Sequence, residues 1–165
     1  MSADSLRAAW DWHLPHKSDS DCRELVTLVD QTGFNTLVVN KPSKTLVNEA
    51  HDHGIRVAAV VTAGADQRFV DGNSDAIQEM RAHEEAAAEA LAKTDREKHM
   101  RLSHHWFPEY QRGSLLCYEH PESLRYIERA IDSALENADG IALDGFGFRN
   151  HYACFCDRCV AKHGG

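Results

Sequence analysis

The sequence predicts an α/β fold of parallel (β/α)-barrel type, present as the first half of such a barrel. Three observations carry this. Short apolar runs alternate with amphipathic helical stretches, each helix closing on a glycine before the next run. The runs are continuously apolar, as strands buried on both faces are. The last of them, Gly140-Ile141-Ala142-Leu143, delivers an acid, Asp144, to its C-terminal end, where parallel barrels place their chemistry.

Taken in order, Ala8 to Leu14 reads as the first strand, ending at Pro15. Asp11 and His13 share a face, because side chains alternate along a strand. Ser18 to Asp21 offers several helix N-caps, Leu25, Leu28 and Val29 follow at helical spacing, and Gly33 closes the helix. Thr36–Val39 is the second strand. Ser43 or Thr45 caps a second helix carrying Leu46, Val47 and Ala50, which Gly54 ends, and Ile55–Val61 is the third strand.

The pattern then changes. From Ser74 to about His99 the chain is rich in Ala, Glu and Arg, and reads as a charged helix or helix pair with a narrow apolar stripe. We take 73–111 as a solvated insert within a single barrel-like domain spanning 1–165. Its sharper reading is a lid or an oligomer contact. His104 to Tyr110 reads as a loop, and Leu115-Leu116-Cys117 as a brief apolar piece. Pro121 opens a helix with Leu124, Ile127, Ile131 and Leu135 as its stripe, and this leads into the fourth strand, 140–144. Four strands are half of an eight-stranded barrel, or else a small open sheet.

Composition narrows the function. The 165 residues suffice for one core, and a net charge of −8 (Lys+Arg 18, Asp+Glu 26) disfavours nucleic acid as a partner. No run is long and apolar enough to cross a membrane. Met1 to Arg7 lacks a signal-peptide core, so a cytoplasmic protein is expected. Five cysteines in a reducing compartment favour metal over disulfides.

Three of them, Cys154, Cys156 and Cys159, stand in C-x-C-x2-C spacing, which suits thiolate coordination of Zn2+. Cys117 is the leading fourth ligand, with His120, His151 and His163 as alternatives. Four protein ligands close a site, so this zinc is structural, pinning the loop after the Asp144 strand. Cys22, inside a helix, reads as a small buried apolar residue.

Arg112 to Glu122, the following helix and strand, and Cys154-Phe155-Cys156-Asp157-Arg158-Cys159 resemble the zinc-bearing segment of family 42 glycoside hydrolases, the β-galactosidase barrels. Those enzymes carry one cysteine upstream and a C-x-C-x2-C after the fourth strand, and the resemblance covers 112–162. Asp11-Trp12-His13-Leu14-Pro15-His16 and Leu143 to Phe148 also resemble uncharacterised glycosyl hydrolases related to fucosidase-like barrels. The resemblance implies a (β/α)8 fold acting on glycosidic bonds, a carbohydrate substrate and a zinc site. Where family 42 has an Asn-Glu pair at the fourth strand end, this sequence has Asp144-Gly145, and the family's nucleophile lies on a later strand.

Glycoside hydrolysis needs two carboxyls flanking the scissile bond. Asp144 is the candidate catalytic carboxyl. Asp11, His13, Phe146, Arg149 and Asn150 are candidate substrate-binding residues, with aromatic rings to stack on sugar faces. Two further readings stand beside this one. Asp11, His13, His104, His105 and Asp144 form the ligand set of a metal-dependent hydrolase. Alternatively the chain is a zinc-stapled, non-catalytic sugar-binding or assembly module. The exposed edges of a half barrel invite a homo-oligomer or a partner chain that completes it.

Overall fold

The computed structural model describes residues 5–11, 18–62, 66–94, 115–148 and 153–164. The chain divides into two compact units, one formed by Met1–Val61 with Glu128–Asp144, the other by Thr62–Ile127 with Gly145–Gly165.

The first unit is built on four parallel strands, β1 (Ala8–Asp11), β2 (Thr36–Val39), β3 (Arg56–Val61) and β4 (Gly140–Leu143), in the order β1-β2-β3-β4. Two helices lie between the first three, α1 (Asp19–Gln31) and α2 (Lys44–Asp52). Ser18 caps α1 with a capping box: its hydroxyl accepts the Asp21 N–H, and the Asp21 carboxylate accepts the Ser18 N–H. Ser43 caps α2 by accepting the Leu46 N–H. Gly33 and Gly54, at φ +75° and +70°, take the left-handed conformation that ends each helix. After Gly54 the chain turns back, and the Ile55 N–H donates to Ala50 O at 2.8 Å.

The core of this unit lies on one face of the sheet. Leu37, Val39 and Val57 pack with Cys22, Val26 and Val29 of α1 and with Leu46 and Ala50 of α2, and Ala9 packs at its margin. Register therefore separates two rows. Ala9, Leu37 and Val57 share the helix-covered face, and Trp10, Val38, Ala58 and Gly140 share the other. Trp10 on that second face is 44% exposed. Sequential strand order with right-handed crossovers puts successive helices on the same face. A doubly wound sheet would instead reverse its strand order at a switch point. The single winding is that of a partial (β/α) barrel.

The expected α/β class and the four strands are found, with β3 starting at Arg56 and β4 ending at Leu143. β1 is described from Ala8 to Asp11, and residues 12–17, including His13, lie outside the described residues. The face of α1 differs from the expected one. Cys22, Val26 and Val29 are buried while Leu28 is 57% exposed, because the i, i+4, i+7 series runs through the cysteine. Cys22 is the small apolar core residue that the sequence suggested.

The second unit has less regular structure. It holds α3 (Gln67–Gly72), a 3-10 turn at Ser74–Ala76, α4 (Ala82–Thr94) and α6 (Asp157–His163). The helix between, α5 (Pro121–Leu135), contributes residues to both units. The charged stretch is not helical from Ser74 onward. Ile77 forms an antiparallel bridge with Leu116, and Gln78 and Met80 are buried, so helix begins only at Ala82. The rest of the expected insert, 95–111, lies outside the described residues. In α5 the most buried positions are Ser123 and Ile127, while Leu124 and Leu135 are exposed. That stripe is rotated by one position from the apolar series in the sequence. His120 precedes α5, and its Nδ1 accepts the Glu122 N–H at 3.2 Å.

Candidate functional site

Two places hold the candidate residues: the end of β4 and the cysteine cluster. Asp144 follows β4 directly. Its N–H donates to Val61 O at 3.0 Å, so the ladder continues one bond past the strand, and the residue is half-buried. Two positions beyond Ala142, Asp144 continues the row of Trp10, Val38 and Ala58. It therefore stands at the C-terminal end of the sheet, in the row opposite the helices.

Asp11 ends β1 in register with Val39, Ala59 and, through them, Ile141. That is the row packed on α1 and α2. Asp11 and Asp144 also sit on the two edge strands, three strand spacings apart, or ~14 Å across the sheet. A carboxyl pair that cleaves glycosides is closer, ~5–5.5 Å for retention and ~6.5–9.5 Å for inversion. The sheet does not bring these two acids together as such a pair. His13, Arg149 and Asn150 lie outside the described residues.

Past Asp144 the chain enters the second unit. Gly147 N–H donates to Tyr118 Oη at 2.8 Å, and the Tyr118 hydroxyl donates back to Gly147 O at 3.0 Å. The Tyr118 ring stacks on Phe146 and meets Phe148 edge-on, with centroids 6.2 and 5.7 Å away. Burial raises the pKa of Tyr118, so its proton stays in place to donate. Gln78, fully buried, donates its amide to Leu116 O at 2.9 Å and to Gly147 O at 2.8 Å. Phe146 is thus held against Tyr118, with its loop fixed by a tyrosine and a glutamine. Nothing in the sequence singled out Gln78, a lone amide beside a charged stretch.

The second place is the cluster itself. The sulfurs of Cys117, Cys154, Cys156 and Cys159 all lie within 4.8 Å of one another, with Cys117 Sγ 3.6 Å from Cys156 Sγ and 3.5 Å from Cys159 Sγ. Four sulfurs each ~2.3 Å from a tetrahedral zinc would stand ~3.8 Å apart, so the cage has the right size. Several elements set it. Cys117 follows the Ile77–Leu116 bridge, and its N–H donates to Ala76 O at 2.7 Å. Cys156 caps α6 and Cys159 sits within it. The Glu79 N–H points at Cys154 Sγ from 3.4 Å, and the Phe155 N–H donates to Glu79 O at 2.8 Å.

Cys117 is the fourth member of the cage. The two described histidine alternatives are engaged elsewhere: His120 with Asp75 at 3.2 Å, and His163 with Glu119 at 2.7 Å. His151 lies outside the described residues. Burial pushes Cys154 up to about 11 and raises Cys159 as well, because crowded thiols resist ionisation in a poorly hydrated site. A divalent cation reverses that balance by binding the thiolate form. Arg158 stands nearby, its guanidinium 3.9 Å from Cys117 Sγ and 3.7 Å from Asp75, positive charge beside what becomes an anionic cage. The donor set fits a structural metal ion of the zinc type.

No protein-family model matches the chain, and no curated protein matches it. Among solved structures it is similar to α-L-fucosidase isoenzyme 2 from Paenibacillus thiaminolyticus, with a TM-score of 0.58 and 15% sequence identity. The likeness covers 95% of this chain and 25% of that one, so this chain spans a quarter of the fucosidase's length. At that identity the likeness concerns the fold. The likeness is in keeping with the single-wound parallel sheet. The cysteine pattern is the specific part of the resemblance to family 42.

Proposed function

We propose that this chain is the N-terminal half of a glycoside-hydrolase-type (β/α) barrel that acts on carbohydrate. Asp144 serves as one of its catalytic carboxyls, and the cysteine cage holds a structural Zn2+. The observation that carries the reading is the position of Asp144. It is an acid at the C-terminal end of a strand in a single-wound parallel sheet, on the row opposite the one packed on α1 and α2. The fold likeness to a fucosidase supports a glycosidic substrate.

In this reading Asp144 donates a proton to the leaving oxygen or steadies a sugar hydroxyl. Phe146, fixed against Tyr118, offers a ring edge or face to a pyranose. Arg149, Asn150 and His13, which lie outside the described residues, supply hydrogen bonds to hydroxyls, while Asp11, in the row packed on α1 and α2, does not join Asp144 at this site. The second carboxyl comes from another part of the barrel. Cys117, Cys154, Cys156 and Cys159 hold the metal, which braces the segment that follows Asp144 and takes no part in bond cleavage.

The catalytic-metal reading draws no support from the geometry. Of its ligands, His13, His104 and His105 lie outside the described residues, and Asp11 and Asp144 are on opposite edges of the sheet. The test is hydrolysis of a panel of aryl glycosides by the protein that carries this chain, comparing wild type with Asp144→Asn. The expected result is turnover lost by about a hundredfold or more, the scale of a missing general acid, with unchanged circular dichroism. Equal turnover in the variant removes Asp144 from the mechanism.

A further inference from the structure

The cysteine cage is closed to bulk water: Cys117 is 0% exposed, Cys154 6%, Cys156 4% and Cys159 7%. An ion can fill it only along some path. One lies beside it. A cleft of about 280 Å³ is lined by Tyr118, Glu119, Phe148, Phe155 and His163, and its wall includes Cys154 and Cys159 but neither Cys117 nor Cys156. The cage therefore borders the cleft through two of its four cysteines.

Two metal-binding groups that are not part of the cage stand in that cleft. His163 is four residues after Cys159 on α6, so the two side chains share a helix face. Glu119 is two residues after Cys117. His163 Nε2 is 2.7 Å from Glu119 Oε1, and the Lys162 ammonium pairs with the other carboxylate oxygen. The side chain of His163 is 57% exposed and that of Glu119 26%. The cleft thus brings together an exposed imidazole, a partly covered carboxylate and two of the buried cysteines.

We propose that His163 and Glu119 form an exchange port, a transient outer site through which a zinc-type divalent cation enters and leaves the four-cysteine cage. The inference rests on reading the cage as a metal site. A hydrated cation moved straight into a buried sulfur cage would shed its water in one costly step. Imidazole and carboxylate are ligands for the same ion, so they replace water first. The ion then passes to the sulfurs. In that transfer each thiol that takes the ion would lose its proton to solvent, and the ion's bonds to His163 Nε2 and to the Glu119 carboxylate would both break. Thiolates hold this class of ion more tightly than one imidazole and one carboxylate do. The port is therefore empty at equilibrium and changes only the barrier.

A barrier effect has its own signature, because loading and release change by the same factor while affinity stays constant. The experiment mixes metal-free chain with Zn2+ in a stopped-flow instrument, using a chromophoric chelator as the indicator. It then measures release into excess chelator, with stoichiometry and Kd from competition. His163→Ala should slow both rates about tenfold, the scale on which groups around a metal site act, at unchanged Kd and one Zn2+ per chain. Glu119→Gln should act in the same direction. Lys162→Met, which frees a Glu119 oxygen, should speed both.

Wild-type rates in both His163→Ala and Glu119→Gln overturn the port. A weaker Kd at unchanged loading rate also overturns it, since that marks a merely structural role. A wild-type chain that takes up no Zn2+ overturns the cage reading itself, and is told apart from failure of the port by its stoichiometry.

Discussion

The two units of this chain are held together by different physics. The sheet unit is an apolar core of ordinary kind. Leu37, Val39 and Val57 are sealed by Val26, Val29, Leu46 and Ala50, and the strand ladder uses the backbone groups of β2 on both sides. The second unit also buries Val70, Met80 and Leu116, but the cluster in it is of four cysteines, with polar contacts such as Gln78 to Gly147 and His120 to Asp75. Four small side chains bury little apolar area, at ~25 cal/mol per Å². Binding a structural zinc contributes on the order of 10 kcal/mol in small zinc domains. The lesson of the contrast is that one unit carries its stability in apolar side chains, while the other gathers four cysteines into a cage of the size a metal ion needs.

Metal removal is the harshest test of that contrast and has the largest expected effect. Cys156→Ser, or a strong chelator at neutral pH, should collapse amide protection over 115–127 and 153–164, while β2 and β3 keep theirs. Hydrogen exchange read by mass spectrometry resolves the two regions. Equal loss of protection in the strands would show that the two units do not differ in the way argued here. The complementary change is Leu37→Ala, which empties a fully buried position in the sheet unit and should cost ~2–5 kcal/mol. Denaturant unfolding monitors it. Zinc stoichiometry should stay at that of wild type, and a loss of zinc binding in this variant would couple what the comparison separates.

The same contrast explains what was legible in the sequence. Strands and helices of the sheet unit announce themselves through period and punctuation: the run Thr36–Val39 matches β2 residue for residue, and Gly33 and Gly54 mark helix ends because only glycine takes their positive φ cheaply. The cage was legible for a different reason, since three thiols at short spacing have few other uses. Its fourth member, Cys117, is 37 residues before Cys154, and only the bridge between Ile77 and Leu116 shows why it arrives there. Local pattern misled where a long-range contact decided. Ser74–Met80 has helix-like neighbours, yet Ile77 pairs with Leu116 and Gln78 is drawn into the interior. The roles of Gln78, Asp75 and Glu119 could not be read, because each acts through a partner distant in sequence. The sequence reads Asp144 as a catalytic carboxyl and Asp11 as a substrate contact. Register separates them, putting Asp11 in the row of Val39 and Asp144 in the row of Ala58.

The smallest expected effect belongs to a polar clamp within the sheet unit, and it sharpens the comparison by showing how little charge does there. Asp139, just before β4, accepts the Val57 N–H at 2.7 Å, and its own N–H donates to Val57 O at 2.8 Å. His51 Nε2 lies 2.9 Å from its carboxylate. Burial pushes the Asp139 pKa up, but the Val57 N–H and His51 outweigh it, leaving the carboxyl below its usual value of 3.8. The folded state thus holds the charged form more tightly than the unfolded state does. That stability is fully present above about pH 5 and is lost as pH falls through the depressed folded pKa. The carboxylate is about one-third exposed, so water screens it, and Asp139→Asn should cost only ~1 kcal/mol at neutral pH. The gap between wild type and variant should close in acid, since both then carry a neutral group at this position. Urea midpoints at a series of pH values from 7 down to about 3 measure it. A gap that stays constant across that range would mean the clamp works through the shape of its hydrogen bonds alone, with the charge contributing nothing.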